Sequence, residues 1–143
     1  MVTIRNMVEA DTNFVFDSWL KSWRKSRYAG VVQNDDYYAT YRKTIERLIM
    51  RGAEIKVACN PENENHILGY LCYEITPDGY SIVHFLYVKD PFLKQGIEFD
   101  LLSELPGQKP GFYSFNTQQI KSGLQTRWPE QNWQWSPEIG RRK

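Results

Sequence analysis

The residues whose types can support chemistry gather in one stretch, Ser81 to Leu105, reading SIVHFLYVKDPFLKQGIEFDLLSEL. Its first feature is Gly96, in a short turn between an apolar run and a helical pattern. A strand that feeds such a turn into a helix leaves backbone N–H groups unsatisfied at the helix start. The turn can therefore hold an anion, typically a phosphate. No Ser, Thr, Asn or Asp stands immediately before the helix to cap it, so its donors are open to a ligand. The second feature is His84, a side chain of near-neutral pKa set inside the apolar run. A lone histidine in such a run is more often a hydrogen-bonded core residue than a working one.

A strand and a helix flank these groups in the sequence. From Ile82 to Val88 the residues are almost all apolar, β-branched or aromatic, as a strand covered on both faces should be. Asp90-Pro91 ends that strand, because proline has no N–H to donate and biases its predecessor away from helix. Beyond Gly96, Ile97, Leu101, Leu102 and Leu105 fall on one helical face.

In that setting HFLYVKDPFLKQGIEFDLL resembles the central strand, acyl-CoA loop and following helix of GNAT-type N-acetyltransferases. The family loop reads Gln/Arg-x-x-Gly-x-Gly/Ala, and the six positions here are Leu93, Lys94, Gln95, Gly96, Ile97 and Glu98. Gly96, Ile97, the flanking Tyr87-Val88 and Leu101-Leu102 match, whereas Leu93 replaces Gln/Arg and Glu98 replaces a small residue. The resemblance implies that acetyl-CoA, as co-substrate, lies where the fourth and fifth strands splay. Pantetheine would pair with backbone near Leu86, Tyr87 and Val88, and the pyrophosphate with amides of Leu93 to Glu98. Asn116 matches a family asparagine at the end of the fifth strand that contacts the cofactor. The implied base, on the fourth strand, is His84, with Glu74 on the preceding strand a second candidate. The tyrosine that commonly serves as acid is missing from Lys121-Ser122-Gly123-Leu124, which leaves Tyr113 and Tyr87 as the nearest alternatives. A carboxylate at Glu98 should oppose a phosphate held in the loop, unless it points outward or pairs with Lys94 or Lys89.

Taken in order, Val2 to Arg5 reads as a first strand, and Asp11-Thr12 as the cap of a helix. Phe16, Trp19, Leu20 and Trp23 give that helix one apolar face, for the core or for a substrate groove. A second helix starts at Asn34 or Asp35, buries Tyr38, Tyr41, Ile45, Leu48 and Ile49, and ends at Gly52. Glu54 to Cys59 and Ile67 to Ile75 are strands joined by the polar loop Asn60 to Asn65. Pro77-Asp78-Gly79 turns the chain back into the central strand. Phe112 to Asn116 reads as a fifth strand, Gln118 to Arg127 as a short helix and Asn132 to Ser136 as a last strand. This order, like the loop, is similar to that of the GNAT family. It implies an α/β (α+β) single domain over residues 1–143, with a mixed, mostly antiparallel twisted sheet of about six strands and helices on both faces.

Composition excludes several functions. A chain of 143 residues with 41% hydrophobic content fits one core, and a net charge of +1 gives no field for nucleic acid or an acidic membrane. No apolar run approaches ~18 residues and no signal-peptide pattern opens the chain, so a cytoplasmic location is expected. Cys59 and Cys72 read as buried thiols, with no metal site implied. Trp128, Trp133 and Trp135 concentrate near the C-terminus, either to cover the core or to meet a protein partner or second copy.

The leading expectation is acetyl transfer from acetyl-CoA to an amine on a small molecule or protein, directly within a ternary complex. The whole arrangement, including Trp19-Leu20-Lys21-Ser22-Trp23-Arg24 and Lys89-Asp90-Pro91-Phe92, also resembles short GNAT-like proteins of bacteriophage and bacterial genomes. Leu93, Glu98, the missing tyrosine and the C-terminal aromatics keep open a second class: a GNAT-fold protein that has lost CoA and acts through interactions, in a phage particle or on a host protein.

Overall fold

Two long hairpins form the middle of the molecule because their strands are apolar where they are covered and their turns carry local chemistry. In the computed structural model, which describes residues 2–24, 34–93, 95–105, 109–115, 117–128 and 133–136, β2 (Glu54–Asn60), β3 (Asn63–Ile75) and β4 (Tyr80–Val88) run antiparallel. The β3–β4 turn is held by the Tyr80 N–H, which donates to Thr76 Oγ1 at 2.9 Å, and Gly79 supplies the positive φ of 92°. The polar loop expected over Asn60 to Asn65 is shorter than its composition implies. Asn60 Oδ1 accepts from the Glu62 N–H and Asn63 Oδ1 from the Asn65 N–H. These local bonds let β3 begin at Asn63, so its exposed polar end overhangs the core.

β1 (Thr3–Asn6) adds to β2 on one side, while β5 (Lys109–Tyr113) and β6 (Gln134–Trp135) extend the sheet beyond β4. Sheet order is β1-β2-β3-β4-β5-β6, with β4–β5 and β5–β6 parallel and the rest antiparallel. Four helices complete the described chain: α1 (Thr12–Arg24), α2 (Asn34–Met50), α3 (Ile97–Leu102) and α4 (Gln118–Arg127). They cover both faces. Trp19 of α1 stacks on Phe85 with centroids 4.8 Å apart, while Leu86, the next residue of β4, meets α4 at Gly123. A Cβ on Gly123 would stand 2.9 Å from Leu86 Cδ2, so glycine lets α4 lie close against the strand.

The Trp pair of α1 belongs to the core, since Trp19 and Trp23 are buried and Trp23 meets the Phe115 ring edge-on at 5.0 Å. Asp11 does not simply cap α1. Its carboxylate accepts from the Val8 N–H and from both terminal nitrogens of Arg5, at 2.7 and 3.0 Å. A 3-10 turn over Glu9–Asp11 then runs straight into the helix. The pair ties β1 to the start of α1 and holds the Asp11 carboxyl below its usual range, chiefly through the Arg5 hydrogen bond. α2 buries Ile45 and Leu48 as its spacing implies, with Tyr41 and Ile49 half-buried; the side chain of Tyr38 lies outside the described residues. Cys59 and Cys72 are buried free thiols. Trp128 and Trp133 lie against each other and on the core edge, while Trp135 on β6 is exposed.

Candidate active site

The site begins with one extra residue. Cys72 of β3 pairs with Phe85 and Tyr73 pairs with Val83, so His84 stands unmatched as a β-bulge in β4. A bulge bends its strand and re-aims the neighbouring edge. β4 and β5 accordingly part just there. Val83 pairs with Tyr113, Ser114 N donates to Val83 O at 3.1 Å, and among the described residues the ladder goes no further. β4 continues to Val88 with β3 on its other side. The gap is a cleft of 270 Å³ lined by Ser22, Phe85, Leu86, Tyr87, Asp90, Thr117 and Gln119.

The bulge also overrides simple alternation in deciding where His84 points; its contacts decide instead. The imidazole is fully buried, with Nε2 2.6 Å from Glu74 Oε1 and Nδ1 2.6 Å from Ser114 Oγ. Glu74 is in turn gripped by Arg51, through Nε at 2.8 Å and a terminal nitrogen at 2.7 Å. Burial lowers the His84 pKa below the ordinary imidazole value, against the opposing pull of Glu74. Burial alone would raise the Glu74 pKa, but hydrogen bonds from His84 and Arg51 outweigh it and the net shift is downward. With a neutral ring and an ionised carboxylate, Nε2–H donates to Glu74 and the Ser114 hydroxyl donates to Nδ1. Ser114, His84, Glu74 and Arg51 are thus linked in one polarised hydrogen-bonded chain, buried at His84 and Ser114, and none of the four is among the described residues that line the β4–β5 cleft.

Its pH dependence has a definite sign. The unfolded imidazole takes up a proton near pH ~6.5, whereas the buried one does so at lower pH, so the unfolded chain binds the extra proton. Stability should fall as pH drops below ~6.5, by at most about 1.4 kcal/mol per unit, and level off below the folded pKa. Glu74 adds a second loss at lower pH, as its depressed carboxyl finally protonates. Melting curves between pH 7.5 and 5.5 check this: the slope should shrink in His84→Gln, and an unchanged slope would contradict a buried neutral ring.

At the other end of β4 the turn has the expected open form. After a 3-10 turn over Asp90–Phe92, Gly96 adopts φ 84° with no side-chain cap on α3, and a Cβ there would meet nothing within 4 Å. A cavity of 480 Å³ lies beside it, between Leu93, Gly96, Glu98 and Leu102 on one side and Gln119, Gly123 and Arg127 of α4 on the other. α3 is only six residues long, so few aligned peptides contribute to its dipole. Among the described residues the positive charge in this lining comes from Arg127, whose guanidinium lies over the Phe99 and Trp128 rings at 4.8 and 5.0 Å.

The expected loop residues divide. Ile97 is core, Leu93 packs against the core edge, and the exposed Gln95 donates back to Pro91 O at 3.3 Å. Glu98 faces the cavity and forms no ion pair among the described residues. Lys89 is not its partner, since that ammonium sits 4.9 Å from the centroid of the Phe14 ring. Lys94 and Asn116 lie outside the described residues. Of the two tyrosines, Tyr87 lines the β4–β5 cleft, and burial raises its pKa above the ordinary phenol value. Tyr113 is buried on β5, paired through its backbone with Val83 and Trp135. Among the described residues no cluster of His, Cys, Asp or Glu is placed to hold a metal, and no helix is long and apolar enough to cross a membrane.

No protein-family model matches the sequence, and no curated protein matches it. Solved structures do. A candidate acetyl transferase from Pyrococcus furiosus superposes with a TM-score of 0.57 at 19% identity, over 73% of this chain and 72% of its own. A GNAT superfamily phosphinothricin acetyltransferase from Sinorhizobium meliloti, in complex with AcCoA, gives 0.52 at 19% identity. A GNAT family acetyltransferase from Brucella melitensis, in complex with acetyl-CoA, gives 0.52 at 17%. The chain has the GNAT fold. It spans 57% and 65% of the latter two proteins, less than two thirds of their length, and each match covers 73% of this chain.

Within the GNAT fold of this chain, four site residues carried no sequence signal. Ser114 and Arg51 meet His84 and Glu74 only through sheet pairing and the end of α2. Arg127 reaches the turn cavity because α4 packs beside α3. Gln119 holds the edge of Val88: the Val88 N–H donates to Oε1 at 3.0 Å, and Nε2 donates to Val88 O at 3.1 Å.

Proposed function

We propose that the chain is an N-acyltransferase that takes acetyl-CoA as co-substrate and passes the acetyl group to an amine of a small molecule or protein. The observation that carries this reading is the parting of β4 from β5 beside the buried Ser114–His84–Glu74 chain, with the β4 edge leading to the open Gly96 turn. Two proteins of this fold, from S. meliloti and B. melitensis, hold acetyl-CoA. The residues present fit such a group. The turn leaves room at Gly96, the cavity beside it is large, and Arg127 offers a cation to a pyrophosphate.

Bound acetyl-CoA supplies the activated acyl carbon of a thioester. His84 accepts the amine's proton at Nδ1 as the N–C bond forms, relayed from the cleft by water and the Ser114 hydroxyl, since neither residue lines the cleft itself. Glu74 keeps its hydrogen bond to Nε2 and stabilises the imidazolium. Tyr87, protonated and in the cleft, donates its O–H to the sulfur as the C–S bond breaks. The alternative is a GNAT-fold interaction protein, favoured by Glu98, which pairs with no described residue and which Arg127 only partly offsets, and by the occupied Val88 edge.

Titration calorimetry with acetyl-CoA, beside a melting curve, separates the two. Micromolar binding should raise stability by about 2.7 kcal/mol at 100 times Kd, a rise of roughly 5–10 °C in Tm. No heat of binding at millimolar ligand would sink the acyltransferase reading and turn the search to protein partners.

A further inference from the structure

Past Val83 the outer edge of β4 has left β5, and a bared strand edge is a template for any group that offers an amide N–H and C=O together. At Val88 that template is already in use. One carboxamide, from Gln119, satisfies both backbone groups of Val88 at 3.0 and 3.1 Å, as a strand neighbour would. The helix that carries it is fixed independently. Thr117 Oγ1 accepts from the Ile120 N–H at 3.3 Å, and Ile120 is fully buried. The Gln119 side chain can therefore rotate away about its own torsions while α4 stays in place.

Gln119 also stands at a junction. It lines both the β4–β5 cleft and the turn cavity that Gly96, Glu98 and Arg127 share. A ligand with an anionic end in the cavity and an amide-bearing arm in the cleft must pass this side chain. We propose that Gln119 is a built-in occupant of the amide-pairing edge at Val88, and that a pantetheine-bearing ligand binds only by displacing it. This rests on the acetyl-CoA reading above and adds to it a competitor encoded in the chain. The hydrogen bonds exchanged are neutral on both sides, so the wild-type protein keeps the site closed without making it unusable.

The test compares two ligands on three proteins: wild type, Gln119→Ala and Gln119→Met. Acetyl-CoA carries the amide arm; adenosine 3′,5′-bisphosphate, an anionic nucleotide, does not. Methionine at 119 neither accepts from Val88 N–H nor donates to Val88 O, so it too loosens the closure without shortening the side chain or adding a charge to the cavity. Both variants should bind acetyl-CoA more tightly, Gln119→Ala by about tenfold, with affinity for the bisphosphate unchanged. Hydrogen exchange gives a second readout. The Val88 amide should be protected in the free wild type, exchange at least about tenfold faster in Gln119→Ala, and be protected again when acetyl-CoA is added.

Weaker acetyl-CoA binding in Gln119→Ala would make the side chain a ligand contact and overturn the proposal. So would an equal change for both ligands, or no change beside intact bisphosphate binding; either would leave the acetyl-CoA reading standing. If no protein binds either ligand, the acetyl-CoA reading falls and takes the proposal with it.

Discussion

Gly111→Ala should lower the melting temperature by about 10 °C, through a clash that nothing nearby can relieve. A Cβ at position 111 would be driven into the Ser81 carbonyl oxygen, with Ser81 C at 2.9 Å and Ser81 N at 3.1 Å. All three obstacles are backbone of β4, fixed on its other side by the β3 ladder. The strand that must move is therefore β5. Its displacement strains the pairs Ile82–Phe112 and Val83–Tyr113 and the bond from Ser114 N to Val83 O. Overpacking of this kind costs about 3 kcal/mol, which for a domain of this size corresponds to roughly 6–12 °C. Because Ser114 follows directly on β5, its hydroxyl should also lose its place at His84 Nδ1. Differential scanning calorimetry decides the matter. A drop under ~3 °C would mean that β5 gives way far more easily than the close approach implies.

Glu98→Ala should tighten acetyl-CoA binding, by roughly 10- to 100-fold if the phosphates enter the turn cavity. Two unit charges ~5 Å apart, at an effective dielectric near ~20, oppose each other by about 3 kcal/mol before screening. Glu98 faces that cavity, and no described cation pairs with it. Arg127 in the opposite wall offsets part of the repulsion, which sets the lower end of the range. A carboxylate in the first helical turn contributes only about 0.3–1 kcal/mol against the dipole, and α3 is short. Removing the charge should therefore help the ligand more than it harms the helix. The gain should shrink in high salt, as an interaction between charges must. Equal or weaker affinity in the variant would place the phosphates elsewhere. Read beside the Gln119 variants, this result separates the two ends of the ligand, since charge acts at the cavity and the carboxamide at the strand edge.

The order of the elements and the nature of the Gly96 turn were legible in the residues alone, because those depend on near neighbours. The apolar run into Val88, the stop at Asp90-Pro91, the stripe of Trp19 and Trp23 and the Pro77-Asp78-Gly79 turn are local preferences, and all are realised. The sequence also marked His84 and Glu74, ten residues apart on neighbouring strands, which the structure brings to 2.6 Å. Ends of elements were less legible. β3 starts early because Asn60 and Asn63 satisfy their own turn, and the helical pattern through Leu105 yields a helix that stops at Leu102. How the strands meet is set on folding and not before. The bulge at His84 is a matter of register between two strands, invisible in either alone, yet it parts β4 from β5 and opens the cleft. Ser114, Gln119 and Arg127 lie at sequence separations of about thirty or more from the β4 and turn residues they serve. No periodicity encodes such pairings. The pairing of β5 with β4 places Ser114, and close packing of α4 on the sheet places Gln119 and Arg127.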